Sequence, residues 1–182
     1  MLKIYNIEPT YNGKSDLLRY LILYKYGGLY IDADTVWVNK KSFNNLLLEI
    51  NDSNFFVAYE DNRVKILCGG IMGSSITNKY VKKLIDGVEN MVKRTWIDDK
   101  IYLQDYIRKC NIHGAWKRIG PGLITRLYLN NTEITKFPYI YFYPEGWHDN
   151  NRTITSHLDI NLPLESYTYQ YGYTTNNLEK LI

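Results

Sequence analysis

An apolar run that stops at two glycines and hands over to two aspartates constrains this chain more than any other feature. Residues 15–38 read SDLLRYLILYKYGGLYIDADTVWV. From Leu17 to Tyr26 nearly every residue is apolar or aromatic, which predicts a helix buried on all sides. Ser15 is placed to cap that helix, and Asp16 falls in its first turn, where a negative charge suits the helix dipole. Gly27 can take the left-handed position that ends a helix. Leu29 to Ile31 then predicts a short buried strand that ends at Asp32 and Asp34. A strand repeats every second residue, so both carboxylates lean to one side. Two like charges that close repel unless a cation lies between them. A divalent ion with oxygen ligands, which also grips phosphate oxygens, is the natural occupant. That is the chemistry of a nucleotide-sugar site.

The rest of the composition narrows the class. At 182 residues the chain is long enough for one domain with a real core. It is 45% hydrophobic and 23% charged, as globular proteins are. The net charge is only +3 and the Lys and Arg are spread out, so nothing resembles a nucleic-acid footprint. Cys68 and Cys110 make neither a disulfide framework nor a zinc site, and they fit a reducing compartment. The opening residues lack the apolar core of a secretion signal, and no apolar run reaches the roughly 20 residues that span a bilayer. The expected location is therefore cytoplasmic. Sequons at Asn51, Asn130 and Asn151 then reflect only an abundance of Asn.

Helices alternate with strands along the chain, so the expected class is α/β. Leu2 to Tyr5 predicts a short strand. Helices are predicted over Ser42–Ile50, Asn78–Arg94, Asp98–Lys109 and Leu123–Leu129. Within the second of these, Val81, Leu84, Ile85, Val88 and Val92 recur at helical spacing. Strands are predicted over Asn54–Tyr59, over the glycine-rich Lys65–Ser74, at Ile134, over Ile140–Tyr143 and over Ser166–Tyr171. Tyr139, Tyr141 and Tyr143 alternate as a strand face would, as do Tyr167, Tyr169, Tyr171 and Tyr173. No repeat, linker or boundary divides the chain.

An Asp-X-Asp triplet is common by chance, and its bland reading is a solvated turn. Its setting argues otherwise. Asp16 and Arg19 lie three apart on one face of the preceding helix and are polar on an otherwise greasy element. If they face inward they need partners. They either pair with each other or reach the hydroxyls of a bound sugar. His113, His148 and His157 share no metal-ligand spacing. Trp147-His148-Asp149 is a loop anchor or an acceptor platform, and Asp98-Asp99 reads as helix N-terminal charge.

Ser15-Asp16-Leu17-Leu18-Arg19-Tyr20, followed by Leu23-Tyr24-Lys25-Tyr26-Gly27-Gly28-Leu29-Tyr30-Ile31-Asp32-Ala33-Asp34, resembles the core of the DXD-containing sugar-binding glycosyltransferases, family 32. Yeast α-1,6-mannosyltransferases and capsule-building enzymes belong there, and a similar block occurs in the clostridial glucosylating toxins. Cys68-Gly69-Gly70-Ile71-Met72-Gly73-Ser74, Gly120-Pro121-Gly122-Leu123-Ile124-Thr125-Arg126 and Phe142-Tyr143-Pro144 resemble further elements of that family. The resemblance implies a GT-A-like, Rossmann-type nucleotide-diphospho-sugar transferase fold over residues 1–182. It also implies truncation at the N-terminus, because the family's usual opening strand region has no counterpart before the Asp16 helix. The implied activity is retaining transfer of a sugar from a UDP- or GDP-sugar to a glycan, protein or lipid acceptor, with Mn2+ or Mg2+ as cofactor. By resemblance Asp34 binds the metal directly, and Asp32 meets the metal shell, the ribose or the sugar. Asp16 and Arg19 hold donor-sugar hydroxyls, and Tyr30 lines the nucleotide site. Where the family often carries a histidine pair, this chain has Tyr167 to Tyr171, so Gln170 is the expected third metal ligand. A second copy or a partner chain could complete the site.

Two other readings stand beside this one. A non-catalytic remnant would bind a sugar nucleotide and turn nothing over. A haloacid-dehalogenase-like phosphatase also carries a strand followed by Asp-X-Asp-X-Thr, matched here by Asp32-Ala33-Asp34-Thr35, with Asp32 as nucleophile. Ser74 and Asp98-Asp99 would then supply its later motifs. That reading leaves Ser15 to Tyr20 and the Gly-Gly pair without a role.

Overall fold

The computed structural model describes residues 1–38, 43–61, 63, 65–95, 112–144 and 162–171. Helix α1 (Leu2–Ile7) and helix α2 (Tyr11–Tyr26) lead into strand β1 (Gly28–Ile31), a tight turn and strand β2 (Thr35–Trp37). Helix α3 (Phe43–Leu48) precedes strands β3 (Phe55–Tyr59) and β4 (Leu67–Ser74). Helices α4 (Lys79–Thr95), α5 (Ile112–Arg118) and α6 (Pro121–Tyr128) follow, then strand β5 (Thr135–Phe137), a 3-10 turn at Tyr139–Tyr141 and strand β6 (Thr168–Gln170). The expected helix Asp98–Lys109, Cys110, the Trp147-His148-Asp149 loop, Asn151, His157 and Tyr173 lie outside the described residues.

The architecture is mixed α/β. One sheet runs β1-β4-β3-β5, and a separate ribbon pairs β2 with β6. β4 is antiparallel to both β1 and β3, while β3 and β5 run parallel. β3 is the centre of the packing because its pleat feeds both faces. Phe55 and Val57 enter a core with Leu17, Tyr20 and Leu23 of α2, Val81, Leu84 and Val88 of α4, and Leu123 and Ile124 of α6. Phe56 and Ala58 enter the opposite core with Leu46, Phe137, Phe142, Tyr143 and Tyr167.

Several expectations need correction. Leu2 to Tyr5 is helical, not a strand: Tyr5 N donates to Met1 O and Glu8 N to Ile4 O, and Ile4 is buried. α2 does not begin at Ser15. Its N-cap is Thr10, whose hydroxyl accepts from Gly13 N at 3.1 Å, while Glu8 holds the Thr10 N–H and O–H. Asp16 therefore sits inside the helix. Nor is α2 buried all round, since Leu18, Ile22 and Tyr26 face out. β1 is a partly exposed sheet edge rather than a buried strand. Ile140 to Tyr143 is not a strand, because Pro138 leads into the 3-10 turn at Tyr139–Tyr141. The strands predicted over residues 54–59, 65–74 and 166–171 form within a residue or two of their expected bounds.

Three glycines are dictated by geometry. Gly27 and Gly28 have φ of 65° and 92°, which side chains disfavour. They let α2 turn directly into β1 while Thr77 N donates to Tyr24 O. Gly73 stands against the buried Phe56 ring, which a Cβ there would overlap. Both groups are locked between strands, so neither yields cheaply. Gly73→Ala is expected to destabilise the fold by roughly 1–3 kcal/mol, measured by urea unfolding. A loss within a few tenths would mean that the β3–β4 contact is looser than described.

Candidate functional site

The two aspartates do not sit on a strand. β1 ends at Ile31, and residues 32–35 form a turn in which Thr35 N donates to Asp32 O at 3.0 Å. The carboxylates converge all the same, for a reason that strand periodicity does not contain. β2 pairs with β6 in the register Thr35↔Gln170. That register carries the buried Gln170 amide to the turn, where Nε2 donates to Asp32 Oδ2 at 3.2 Å and to Asp34 Oδ1 at 3.1 Å. The acid pair is thus bridged by one side chain from far along the sequence. Both aspartates are half-buried.

The other oxygen of Asp32 looks back at α2. Oδ1 accepts from the Tyr30 hydroxyl at 2.9 Å and pairs with Arg19 Nη2 at 3.3 Å. The same Nη2 pairs with Asp16 Oδ1 at 3.2 Å and donates to Ser15 Oγ at 3.3 Å. The Arg19 guanidinium also lies on the Tyr30 ring, 4.6 Å from its centroid, where the π face favours a cation. Ser15 Oγ is 3.0 Å from the Tyr30 hydroxyl. Arg19 and Asp16 are each only 6% exposed, so this is a buried network reached from one side. Arg19 Nε has no hydrogen-bond partner among the described residues.

The electrostatics follow from sharing one cation between two acids. Burial pushes the Asp16 carboxyl up to about 6; Arg19 opposes this, and Asp32 and Glu8 add to it. At Arg19 burial pulls the other way, but Asp16 and Asp32 together outweigh it and the guanidinium is held charged. The two ends of the Asp16–Arg19 pair therefore lean in opposite directions. Arg19 gains two carboxylates, whereas Asp16 gains half of a cation. Tyr30 is raised, first by burial, with Arg19 opposing it and Asp32 adding to the shift.

Glycines give the network its clearance. Val57 faces Met72 but Ala58 faces Cys68, so Gly69, Gly70 and Ile71 leave the β3–β4 ladder. Such bulges recur beside functional sites. Asp32 N then bonds to Gly70 O at 2.8 Å. A Cβ on Gly69 would lie 2.8 Å from Arg19 Nη1, and one on Gly70 would lie 2.8 Å from Asp32 Oδ2 and 2.9 Å from the Tyr143 hydroxyl. A Cβ on Gly120, just ahead of α6, would run into Asp16 Oδ2.

All six residues expected at the site are thus brought together: Asp16, Arg19, Tyr30, Asp32, Asp34 and Gln170. Ser15 belongs here too, in place of its expected role as a cap. Its spacing of four from Arg19 on a helix was the available signal. Tyr143, marked in the sequence only as part of the Phe142-Tyr143-Pro144 element and given no role there, borders the site across Gly70. The phosphatase reading does not survive the register. β1 and β4 are antiparallel with Ser74 opposite Gly28 and Ile71 opposite Ile31, which leaves Ser74 at the far end of the strand from Asp32.

Residues 1–55 match a family model described as the glycosyltransferase sugar-binding region containing DXD motif. That segment holds every site residue except Tyr143, Gln170 and the glycines Gly69, Gly70 and Gly120. No curated protein matches the chain. Among solved structures, the chain is similar to "PaToxG Glycosyltransferase" at 19% identity and a TM-score of 0.44, over 70% of this chain and 40% of that one. The chain thus spans well under half the length of that protein.

No three of His, Cys, Asp and Glu are gathered as a metal would need among the described residues. The oxygen set available is the Asp32–Asp34 pair with the Gln170 amide. Hard oxygen donors of this kind suit Mg2+ or Mn2+, which keep open positions for phosphate.

The Asp16 shift has a consequence for stability. Unfolded, Asp16 loses its proton near 3.8, and folded near 6. Between these values the folded chain binds more protons, so the contribution of this group is complete below 3.8 and is lost as pH rises through about 6. Asn cannot titrate. The stability of wild type relative to Asp16→Asn should therefore fall between pH 4 and pH 7 by on the order of 2–3 kcal/mol. Denaturant melts at both pH values measure it, and a difference that rises with pH would refute the assigned sign.

Proposed function

We propose that the chain is a metal-dependent, retaining glycosyltransferase that takes a UDP- or GDP-sugar as donor and builds its donor site on the Asp32–Asp34 turn. The observation that supports this most is the convergence of Asp32 and Asp34 on the Gln170 amide, beside a buried arginine with N–H capacity to spare. The match of residues 1–55 to a DXD sugar-binding region points the same way.

In this reading Asp34 and Asp32 hold Mn2+ or Mg2+, and Gln170 adds its carbonyl oxygen. A bound dication supplies Lewis-acid neutralisation of the diphosphate that departs when the sugar–phosphate bond breaks. Arg19 and Asp16 present a donor and an acceptor side by side, the pair needed to orient vicinal sugar hydroxyls. Tyr30 fixes the Arg19 plane and the Asp32 rotamer together, so its part is to hold the site rigid. Asp16 accepts a hydroxyl proton best once it is ionised, above about pH 6. No carboxylate is assigned as a covalent nucleophile, because transfer on one face of the sugar needs none. The acceptor is a glycan, protein or lipid hydroxyl.

Asp34 is half-buried and outside the Arg19 network, so Asp34→Asn should fold normally. It should lose Mn2+-dependent UDP binding by at least roughly 10-fold in calorimetry, as removal of a metal ligand does. Unchanged Mn2+-dependent binding would remove Asp34 from the site. A hydrolysis assay with UDP- and GDP-sugars then separates an enzyme from a binding remnant, since binding without sugar release favours the remnant. Asp16 meets Arg19 and not the acid pair, so Asp16→Asn should weaken a nucleotide sugar more than the bare nucleotide. Equal losses would mean that Asp16 does not face the sugar.

A further inference from the structure

Tyr143 follows the 3-10 turn and is 3% exposed, packed among Cys68, Phe142, Phe56 and Tyr167. Its hydroxyl is buried and has no hydrogen-bond partner among the described residues. The Cys68 thiol interacts with it, but sulfur is a poor acceptor and this one already receives Gly70 N–H at 3.4 Å. Leaving a hydroxyl dry and unpaired costs stability, so a fold has reason to keep one only if another state uses it.

The place of that hydroxyl indicates which state. The point beside Gly70 where a Cβ would stand is 2.8 Å from Asp32 Oδ2 and 2.9 Å from the Tyr143 oxygen. Both oxygens thus border the space that a Gly70 side chain would fill. Oδ2 accepts from the Gln170 N–H. On the reading above, Gln170 must present its carbonyl to a cation, and its N–H then leaves Oδ2. Oδ1 stays held by Tyr30 and Arg19, so Oδ2 alone loses its donor. Burial and the nearby Cys68 keep the Tyr143 hydroxyl protonated and therefore a donor.

We propose that Tyr143 is a positioning residue for the loaded site: its hydroxyl donates to Asp32 Oδ2 when the Gln170 amide turns to a bound dication, which fixes the Asp32 carboxylate from both sides. This rests on the metal reading of the acid pair. It accounts for the lack of a side chain at Gly70 beside both oxygens and for a buried hydroxyl without a geometric hydrogen bond.

The test is Tyr143→Phe in the full chain, with Mn2+ alone as the probe. The metal-free variant should melt at or above the wild-type temperature, because it loses an unpaired hydroxyl. Its Mn2+ dissociation constant by calorimetry should rise on the order of 10-fold, as for other outer partners of metal ligands. An unchanged Mn2+ constant overturns the proposal and leaves the metal site standing. A melting temperature clearly below wild type also overturns it, since the hydroxyl would then be satisfied in the free protein. Absence of Mn2+ binding by the wild type overturns the metal site and this inference together.

Discussion

The Arg19 guanidinium is shared between two carboxylates on different elements, and the geometry of the site depends on that sharing. Asp16 comes from the same helix as Arg19, while Asp32 comes from the turn beyond β1. A buried ion pair gives little net stability, because desolvation offsets the attraction. What it enforces is arrangement, since any shift of α2 along the sheet would strand a buried charge. The Tyr30 ring and the Ser15 hydroxyl then fill the remaining directions around the cation. The helix, the Gly-Gly turn and the acid turn therefore behave as one rigid unit, although the chain between them is short and partly exposed.

Charges buried against a sheet need room, and here the backbone provides it by omission. β4 slips out of its ladder with β3 at Gly69 and Gly70, where Arg19 and Asp32 approach. Gly120 makes the same concession to Asp16. These glycines lie on elements far apart in sequence, yet each opposes a charged atom of the same network. Gly69, Gly70 and Gly120 are thus consequences of one arginine and two acids, whereas Gly73 answers to Phe56 and Gly122 to the Lys117 backbone.

This bears on what could be read from the sequence. The helix–Gly-Gly–strand–acid block was legible because its signals are local: apolar periodicity, two glycines that need positive φ, and a short strand. The buried pairing of Asp16 and Arg19 was legible as well, since polar groups on a greasy helix must find partners, whereas Tyr30 and Gln170 were suggested only by the family resemblance. Their relation to one another was not. Asp32 and Asp34 meet through the register of β2 against β6, a pairing across most of the chain that no local pattern encodes. α2 was expected to begin at Ser15 because Ser is a good cap, but Glu8 and Thr10 supply a better one upstream. That added turn moves Ser15 and Asp16 from the helix end into the site. α1 was taken for a strand because six residues are too few to display a period. The tyrosine alternation at 139–143 was misleading because Pro138 leads into a 3-10 turn at Tyr139–Tyr141, which repeats every three residues and not every two.

The residue that bridges the acid pair is an amide, and that choice sets the character of the site. A lysine at Gln170 would neutralise Asp32 and Asp34 permanently and shut out a dication. A glutamate would add a third charge and make the metal-free protein pay for mutual repulsion at close range. An amide does neither. It offers N–H to both carboxylates, and on the glycosyltransferase reading it would offer a carbonyl oxygen to a cation at no change in charge. Three oxygens, one of them neutral, make a modest metal site by protein ligands alone. On the glycosyltransferase reading, diphosphate oxygens would complete such a shell, so a metal and a donor bound there would support each other.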